Sequence, residues 1–312
     1  MTATEVPHIL SAEQFADDAF LEHLLDRIFY YEDLLTNGSD RRALATHAGS
    51  ILLNVFYEPS TRTSFSFRTA AARLGMTIIG TEHAGEFSSA AKGESLEDTA
   101  RVLSGNRPDV IVVRHPDNFS VQTIAEHCGD VPVINAGDGK NEHPTQTLLD
   151  VFTIQKELGR RDNLRIVAGG DIAGGRTIKS LLKLLGRDST NSFCLVAPEH
   201  CNADDVMQQN LAAMPAGVEY VYEMNPDLFK DADVVYWTRT QTERGSKALD
   251  GNFILRPSLL NQMPTNGIIM HPLPRLAELP IELDDDPRAR YFQQAENGVP
   301  TRTALLDWVL SR

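Results

Sequence analysis

The sequence contains few cysteines and no long apolar run. Its three cysteines, Cys128, Cys194 and Cys201, are an odd number without paired spacing, which indicates a reducing compartment and not a disulfide framework. No stretch approaches the length of a membrane span. The first residues lack a basic flank followed by an apolar core, so we expect neither secretion nor organelle import and place the protein in the cytoplasm.

Positive charge is also scarce. The chain carries 29 Lys and Arg against 43 Asp and Glu, which gives a formal net charge of −14. Nucleic acids and anionic membranes are polyanions that such a protein repels at long range, so neither is expected as a partner. Any anionic ligand must therefore meet a local cluster of arginines.

Two short segments have some features of metal or dinucleotide sites but lack essential parts. His200-Cys201 has no second pair at zinc-finger spacing, so we interpret it as a loop dipeptide and expect no metal. Gly169-Gly-Asp-Ile-Ala-Gly-Gly175 follows a predicted strand, but its order does not supply Gly-x-Gly-x-x-Gly, which disfavours a nicotinamide site. The helix predicted after it opens with Arg176, so an anion can still bind at that helix start.

The length and the order of the predicted elements indicate two α/β domains. A chain of 312 residues exceeds the usual size of one hydrophobic core. Strands and helices alternate, which is typical of parallel sheets with crossover helices. The predicted strands are 51–57, 110–113, 131–134, 164–168, 192–196, 218–222, 234–237 and 267–270. Such sheets bind ligands beyond the carboxyl ends of their strands, so the loops there are the expected site.

Residues 54–68 place an apolar strand, a turn and a hydroxyl-rich helix start in direct succession. Ser60 or Thr61 can cap a helix that runs to Gly75. Backbone N–H groups at the helix start, the hydroxyls and Arg62 would then converge on one oxyanion, as in a phosphate site. The alternative is an ordinary capped helix, which accounts for one hydroxyl but not for an arginine between two threonines.

Five motifs carry a family resemblance. They are Phe56-Tyr-Glu-Pro-Ser-Thr-Arg-Thr63, Lys92-Gly-Glu-Ser-Leu96, Arg114-His-Pro116, His143-Pro-Thr-Gln146 and His271-Pro-Leu-Pro-Arg275. In this order and at these intervals they resemble the carbamoyltransferases, and more narrowly the catalytic chains of the aspartate branch. The resemblance implies two Rossmann-like domains, each a mainly parallel sheet flanked by helices, with the active site in the interdomain cleft. Residues 1–144, completed by a carboxyl-terminal helix at 291–312, would bind carbamoyl phosphate, and residues 145–290 would bind aspartate.

The resemblance also implies the reaction, which transfers the carbamoyl group of carbamoyl phosphate to the amino group of L-aspartate in pyrimidine biosynthesis. No covalent intermediate, metal or organic cofactor is expected, because positioning two anions and stabilising a tetrahedral oxyanion suffice. The residues that it assigns to carbamoyl phosphate are Ser60, Thr61, Arg62, Thr63, Ser88, Lys92, Arg114, His143 and Gln146. Of these, Arg62, Thr63, Lys92, Arg114 and His143 are the expected catalytic residues, with His143 acting as a hydrogen-bond donor on the same helix face as Gln146.

Aspartate brings two carboxylates, which suit bidentate contacts from arginine. The resemblance assigns them to Lys92, Arg176, Arg239, Gln241, Pro272 and Leu273. Ornithine carbamoyltransferases carry a cysteine between the histidine and leucine of the last motif, and Pro272 occupies that place here. The sequence therefore favours aspartate over ornithine.

The family's catalytic unit is a trimer in which Ser88 and Lys92 would enter the site of a neighbouring subunit. From the residues alone, we would instead expect a mobile surface loop with a solvated lysine. Two alternatives to the aspartate enzyme stay open: an enzyme acting on ornithine or another amine, and a catalytically silent homologue in a larger assembly. Regulatory chains or another enzyme of the pyrimidine pathway are further candidate partners.

Overall fold

The chain forms two compact units, and each contains one parallel β-sheet. The computed structural model describes residues 6–38, 44–87, 93–240 and 251–312. The first unit comprises Met1–Leu148 and Asn297–Arg312, and the second comprises Leu149–Glu296. Helices flank both sheets, so the predicted two-domain α/β fold class is confirmed. None of the helices in these described ranges combines the length and the apolar character needed to cross a membrane.

The first unit is built on a sheet of four parallel strands, of which three are mostly buried and one is mostly exposed. These strands are β1 (Ile51–Phe56), β2 (Thr77–Thr81), β3 (Val110–His115) and β4 (Val133–Asp138). They run parallel in the order β2-β1-β3-β4. The helices are α1 (Asp18–Asn37), α2 (Thr61–Arg73), α3 (Ala84–Phe87), α4 (Leu96–Gly105), α5 (Ser120–His127) and the first turn of α6 (Pro144–Leu158). One face of the sheet packs in a core that includes Val55, Ile111, Val113, Ile124 and Val133.

The second unit repeats this arrangement with five strands. They are β5 (Arg165–Gly169), β6 (Ser192–Val196), β7 (Gly217–Val221), β8 (Val234–Trp237) and β9 (Ile268–Met270). They run parallel in the order β7-β6-β5-β8-β9. The chain thus adds β6 and β7 on one side of β5 and then β8 and β9 on the other side. The helices are the rest of α6, then α7 (Arg176–Leu185), α8 (Asp205–Ala212) and α9 (Tyr291–Glu296). Trp237 and Tyr291 are among the large side chains fully buried in its core.

The carboxyl-terminal segment forms two helices where the sequence predicts one. After α9, a new helix, α10, spans Gly298–Leu310 and packs against α1 and α2 of the first unit. Pro300 explains the break, because a continuous helix would need a hydrogen bond from its missing N–H to the carbonyl of Glu296. Arg302 of α10 lies 5.2 Å from the Phe67 ring and donates to Thr145 Oγ1 at 3.3 Å.

Asp307 attaches α10 to the rest of the first unit. Its carboxylate accepts hydrogen bonds from Arg27 on α1 and from His47 Nε2, the latter at 2.7 Å. Burial and the neighbouring Arg27 lower the pKa of His47, so the imidazole is neutral and donates. Replacing Asp307 by alanine leaves both donors without their acceptor, and we expect a loss of about 3 kcal/mol in the free energy of unfolding.

Chemical denaturation measures this loss. Asp130→Ala serves as the control, because Asp130 is an exposed carboxylate of the same unit and such surface changes usually stay within about 0.5 kcal/mol. A loss from Asp307→Ala no larger than that of the control would contradict the assignment.

Candidate functional site

The carboxyl edge of the first sheet brings several predicted site residues into one region. Phe56, the last residue of β1, pairs with Arg114 near the end of β3, and the backbone N–H of Tyr57 donates to the Arg114 carbonyl at 2.8 Å. Asp138 at the end of β4 pairs with His115. The turn before α2, the end of β3 and the loop before α6 therefore leave the sheet at the same edge, as expected for an α/β ligand site.

The turn between β1 and α2 leaves the hydroxyl of Ser60 outside the capping of the helix. Ser60 is the N-cap residue, with φ −154° and ψ 87°, and its side chain makes no capping hydrogen bond. Thr61 and Arg62 are exposed in the first turn, whereas Thr63 is buried. Capping therefore does not account for the Ser60 hydroxyl, and whether this helix start binds a ligand stays a prediction.

Thr63 and His143 lie together although 80 residues separate them. Thr63 Oγ1 is 3.4 Å from His143 Nε2, and the two residues are 6% and 5% exposed. A hydroxyl and an imidazole at this distance can both direct hydrogen bonds to one ligand oxygen placed beside them.

His143 precedes its helix and does not lie on a helix face. Helix α6 begins at Pro144, and the carbonyl of His143 accepts from the backbone N–H groups of Gln146 and Thr147 at 2.9 and 3.2 Å. The prediction that His143 and Gln146 share a helix face was therefore wrong. Gln146 is half-buried in the first turn, and a proline at the first helical position fits this boundary.

A buried carboxylate that the sequence analysis did not select, Asp138, holds the loop before His143. Its oxygens accept from Asn135 Nδ2 at 3.0 Å, Asn141 Nδ2 at 2.9 Å and the backbone N–H groups of Phe119 and Glu142 at 2.9 and 3.0 Å. Asp138 is 1% exposed. The signal available in the sequence is the position of this aspartate in the polar segment after an apolar strand.

Arg114 is oriented by two acceptors within the first unit. Its Nη2 donates to Glu58 Oε1 at 2.6 Å, and its Nη1 donates to the Ala136 carbonyl at 3.2 Å. The side chain is 11% exposed. A guanidinium held in a mainly dry environment interacts strongly with an anion, because the local dielectric is low.

His115, next to Arg114, fixes a turn. Burial lowers the pKa of its imidazole, so the ring is neutral near pH 7. Its Nδ1 accepts from the backbone N–H of Asp117 at 3.1 Å, and its ring lies 4.5 Å from that of Tyr57. Because His115 is neutral, the positive charge at the end of β3 is that of Arg114.

The first two glycines of the cluster, Gly169 and Gly170, allow the ends of β5 and β8 to approach each other closely. A Cβ atom on Gly169 would lie 2.2 Å from the Trp237 ring, and one on Gly170, which has φ +95°, would lie 1.9 Å from the Thr238 carbonyl oxygen. The backbone N–H of Asp171 also donates to Thr238 Oγ1 at 3.1 Å. Packing of β5 against β8 therefore explains these glycines without a dinucleotide.

The predicted aspartate ligands of the second unit lie at the carboxyl edge of its sheet. Arg176 is the first residue of α7 and is 4% exposed. Arg239 follows β8 and donates to the Thr240 carbonyl at 3.1 Å. Pro272 and Leu273 follow β9 and are partly buried. Parallel strands β5, β8 and β9 thus bring all of these elements to one edge.

Three predicted site residues, Ser88, Lys92 and Gln241, lie outside the described residues. Among the residues that the structure does describe, no group of three His, Cys, Asp or Glu side chains could hold a metal ion.

Comparisons with known proteins place both halves of the chain in one family. The family model described as "Aspartate/ornithine carbamoyltransferase, carbamoyl-P binding domain" matches residues 7–156, and the "Asp/Orn binding domain" of the same family matches residues 162–309. The chloroplastic aspartate carbamoyltransferase of Arabidopsis thaliana is 43% identical over 315 residues, covering 98% of this chain and 78% of the relative.

Solved structures show the same likeness. The catalytic subunit of M. jannaschii aspartate transcarbamoylase is 40% identical with a TM-score of 0.87, covering 97% of this chain and 98% of that one. Aspartate transcarbamoylase from Trypanosoma cruzi, in complex with carbamoyl phosphate and aspartate, is 34% identical with a TM-score of 0.87, covering 97% and 96% of the two chains.

Proposed function

The chain belongs to the aspartate/ornithine carbamoyltransferase family, and we propose that it transfers the carbamoyl group of carbamoyl phosphate to L-aspartate. The products are N-carbamoyl-L-aspartate and phosphate, in an early step of de novo pyrimidine biosynthesis. The observation that carries the proposal is the approach of Thr63 to His143 at the sheet edge that also bears Arg114. The Trypanosoma cruzi relative, solved with both substrates, supports the same pair of ligands.

Carbamoyl phosphate would bind at the carboxyl edge of the first sheet. The phosphate would meet Ser60, Thr61 and Arg62 at the start of α2, where the N–H groups of the first helical turn and the macrodipole favour an anion. Gln146 would bind the carbamoyl nitrogen, and the proposed site also includes Ser88 and Lys92.

The catalytic step would depend on stabilising charge at the carbamoyl carbonyl. The aspartate amine attacks the carbonyl carbon, the C=O electron pair moves to oxygen, and the tetrahedral oxyanion collapses as the bond to phosphate breaks. Thr63, Arg114 and His143 would donate hydrogen bonds to that oxygen, which develops charge in the transition state. The departing phosphate would take the proton of the amine.

Aspartate would bind at the carboxyl edge of the second sheet. Arg176 and Arg239 would contact its two carboxylates, since guanidinium groups pair with carboxylates bidentately. Gln241 and Lys92 would add contacts, and backbone carbonyls near Pro272 and Leu273 would accept from the amino group.

We further propose a cytoplasmic homotrimer in which Ser88 and Lys92 complete a neighbouring subunit's site. The resemblance at Lys92-Gly-Glu-Ser-Leu96 supports the shared site, and three free, buried cysteines suit a reducing compartment. Regulatory chains or a second pyrimidine enzyme would bind such a trimer from outside.

A ureido-product assay with carbamoyl phosphate and either aspartate or ornithine tests the substrates. We expect kcat/KM for aspartate to exceed that for ornithine by at least about 100-fold, because ornithine carries an ammonium group where aspartate has its side-chain carboxylate, and the proposed arginines would repel it. His143→Ala, purified in parallel, controls for contaminating host enzyme. Product only with ornithine would overturn the choice of amine, and no product from a folded trimer would favour the silent homologue.

A further inference from the structure

A buried carboxylate in the second unit has no role in the site described so far. Asp150 on α6 is 0% exposed. The Tyr236 hydroxyl donates to its Oδ2 at 2.7 Å, and Gln294 Nε2 donates to its Oδ1 at 2.7 Å. A buried charge contributes little net stability compared with apolar residues of the same volume, so stability alone does not account for a carboxylate at this position.

One arm of this hydrogen-bond chain reaches the two proposed aspartate-binding arginines. Burial, followed by the charge of Asp150, raises the pKa of Tyr236, so the phenol stays protonated and donates. The same hydroxyl is hydrogen-bonded by Thr177, the residue after Arg176. Tyr236 itself lies on β8, three residues before Arg239. Asp150 thus restrains both the start of α7 and the end of β8.

The other arm reaches the loop after β9. Gln294 accepts from the backbone N–H of His271 at 2.8 Å, and the amide orientation that this requires is the one that donates to Asp150. His271 Nδ1 accepts from the backbone N–H of Leu273 at 2.9 Å, so its Nε2 carries the proton and donates to Glu278 at 3.0 Å. Glu278 also accepts from the backbone N–H of Leu276 at 2.9 Å.

This loop needs such support because Leu273 has a left-handed backbone. Its φ of +49° is costly for a residue with a Cβ atom. Backbone conformations of this kind persist where the surroundings over-determine them. The bonds from His271, Gln294 and Glu278 supply that restraint beside the carbonyls proposed to receive the substrate amine.

We propose that Asp150 is a positioning residue for aspartate, joining the helix start at Arg176, the strand end before Arg239 and the Pro272–Leu273 loop through one buried hydrogen-bond chain. The inference rests on the proposed function, because it concerns where the substrate amine and carboxylates bind. Asp150 acts through Tyr236 and Gln294 and does not itself contact the substrate.

Each branch of the hydrogen-bond chain can be removed by a substitution that nearly preserves the volume of the side chain. Tyr236→Phe removes only the hydroxyl, and Gln294→Leu removes only the amide. We expect each to lower kcat/KM for aspartate about 10- to 100-fold, mainly through KM, because small displacements of several ligands weaken binding. KM for carbamoyl phosphate should stay within about twofold, because its proposed ligands at residues 60–63 and 114 belong to the first unit, whereas Asp150 and its partners belong to the second.

A conservative change at Asp150 adds a rescue test. In Asp150→Asn, the side-chain oxygen can still accept from Gln294, while its NH₂ donates to the Tyr236 hydroxyl, which in turn donates to Thr177. We therefore expect Asp150→Asn to retain most of the aspartate affinity that Asp150→Ala loses. An equal loss in both variants would overturn the hydrogen-bond chain as the cause.

Asn191→Ala provides the matched control. Asn191 is a buried hub of the same unit, 2% exposed, whose side chain binds the backbone of Leu164 and Leu185 at the amino edge of the sheet. It should lose thermal stability but keep the wild-type KM for aspartate. If Tyr236→Phe and Gln294→Leu behave like this control, the positioning role is overturned while the wild-type activity still stands. A wild-type protein without aspartate-dependent product would overturn the proposed function, and the inference with it.

Discussion

Replacing Arg114 by alanine is expected to lower kcat about 100- to 1000-fold, the usual effect of removing one donor from an oxyanion site. The guanidinium is held by Glu58 and the Ala136 carbonyl and is 11% exposed. It therefore needs little reorganisation when charge develops on the carbamoyl oxygen. Steady-state kinetics at saturating concentrations of both substrates measures the loss.

Two further variants distinguish the effect of the Arg114 guanidinium from the effect of removing any positive charge from the protein. Arg114→Lys keeps the charge but not the planar fork, so we expect only partial recovery. Arg68→Ala removes an arginine of α2 whose side chain is 51% exposed and lies 3.7 Å from Glu82. It should leave kcat within about twofold of wild type, because exposed ion pairs contribute little. A kcat for Arg114→Ala within tenfold of wild type would remove Arg114 from the proposed catalytic group.

Mixing two inactive variants is expected to restore about a quarter of the wild-type sites if the trimer shares its sites around a threefold axis. Lys92→Ala and Arg114→Ala would each be nearly inactive alone. In randomly mixed trimers, one site in four on average combines Lys92 from one chain with Arg114 from its neighbour. Activity after joint refolding of equal amounts measures the recovery.

The control mixture combines two variants whose substituted residues are supplied to the proposed site by the same chain. Arg114 and His143 belong to one chain, so Arg114→Ala mixed with His143→Ala should show no recovery. If both mixtures stay inactive although mass measurements show trimers, each site draws its residues from a single chain.

Most strands could be predicted from the sequence, and one could not. Residues 192–196 and 234–237 are mostly apolar, and the predicted strands agree with β6 and β8 to the residue. Strand β2 was missed because it is an edge strand of the sheet, mostly exposed, with a glycine at position 80. An exposed edge strand lacks the apolar run that marks a central strand.

The candidate site shows the same division between local and distant information. The turn after β1 is local, so the start of α2 and the likeness of its motif could be read from consecutive residues. The contact of Thr63 with His143 could be inferred only through the family resemblance, because nothing local joins residues 80 positions apart. Asp138 and Asp150 were missed because an aspartate in sequence does not reveal which distant donors surround it.

The return of α10 to the first unit has a consequence for biosynthesis. A ribosome releases the amino-terminal part of a chain first, and domains generally fold as they emerge. The surfaces of α1 and α2 that α10 covers are made before the second unit, whereas α10 is made after it. The second unit, which is continuous in sequence, can therefore complete its fold before the first. During translation the first unit exposes the surface of α1 and α2 until α10 has been made. We therefore expect a chaperone to act on the first unit.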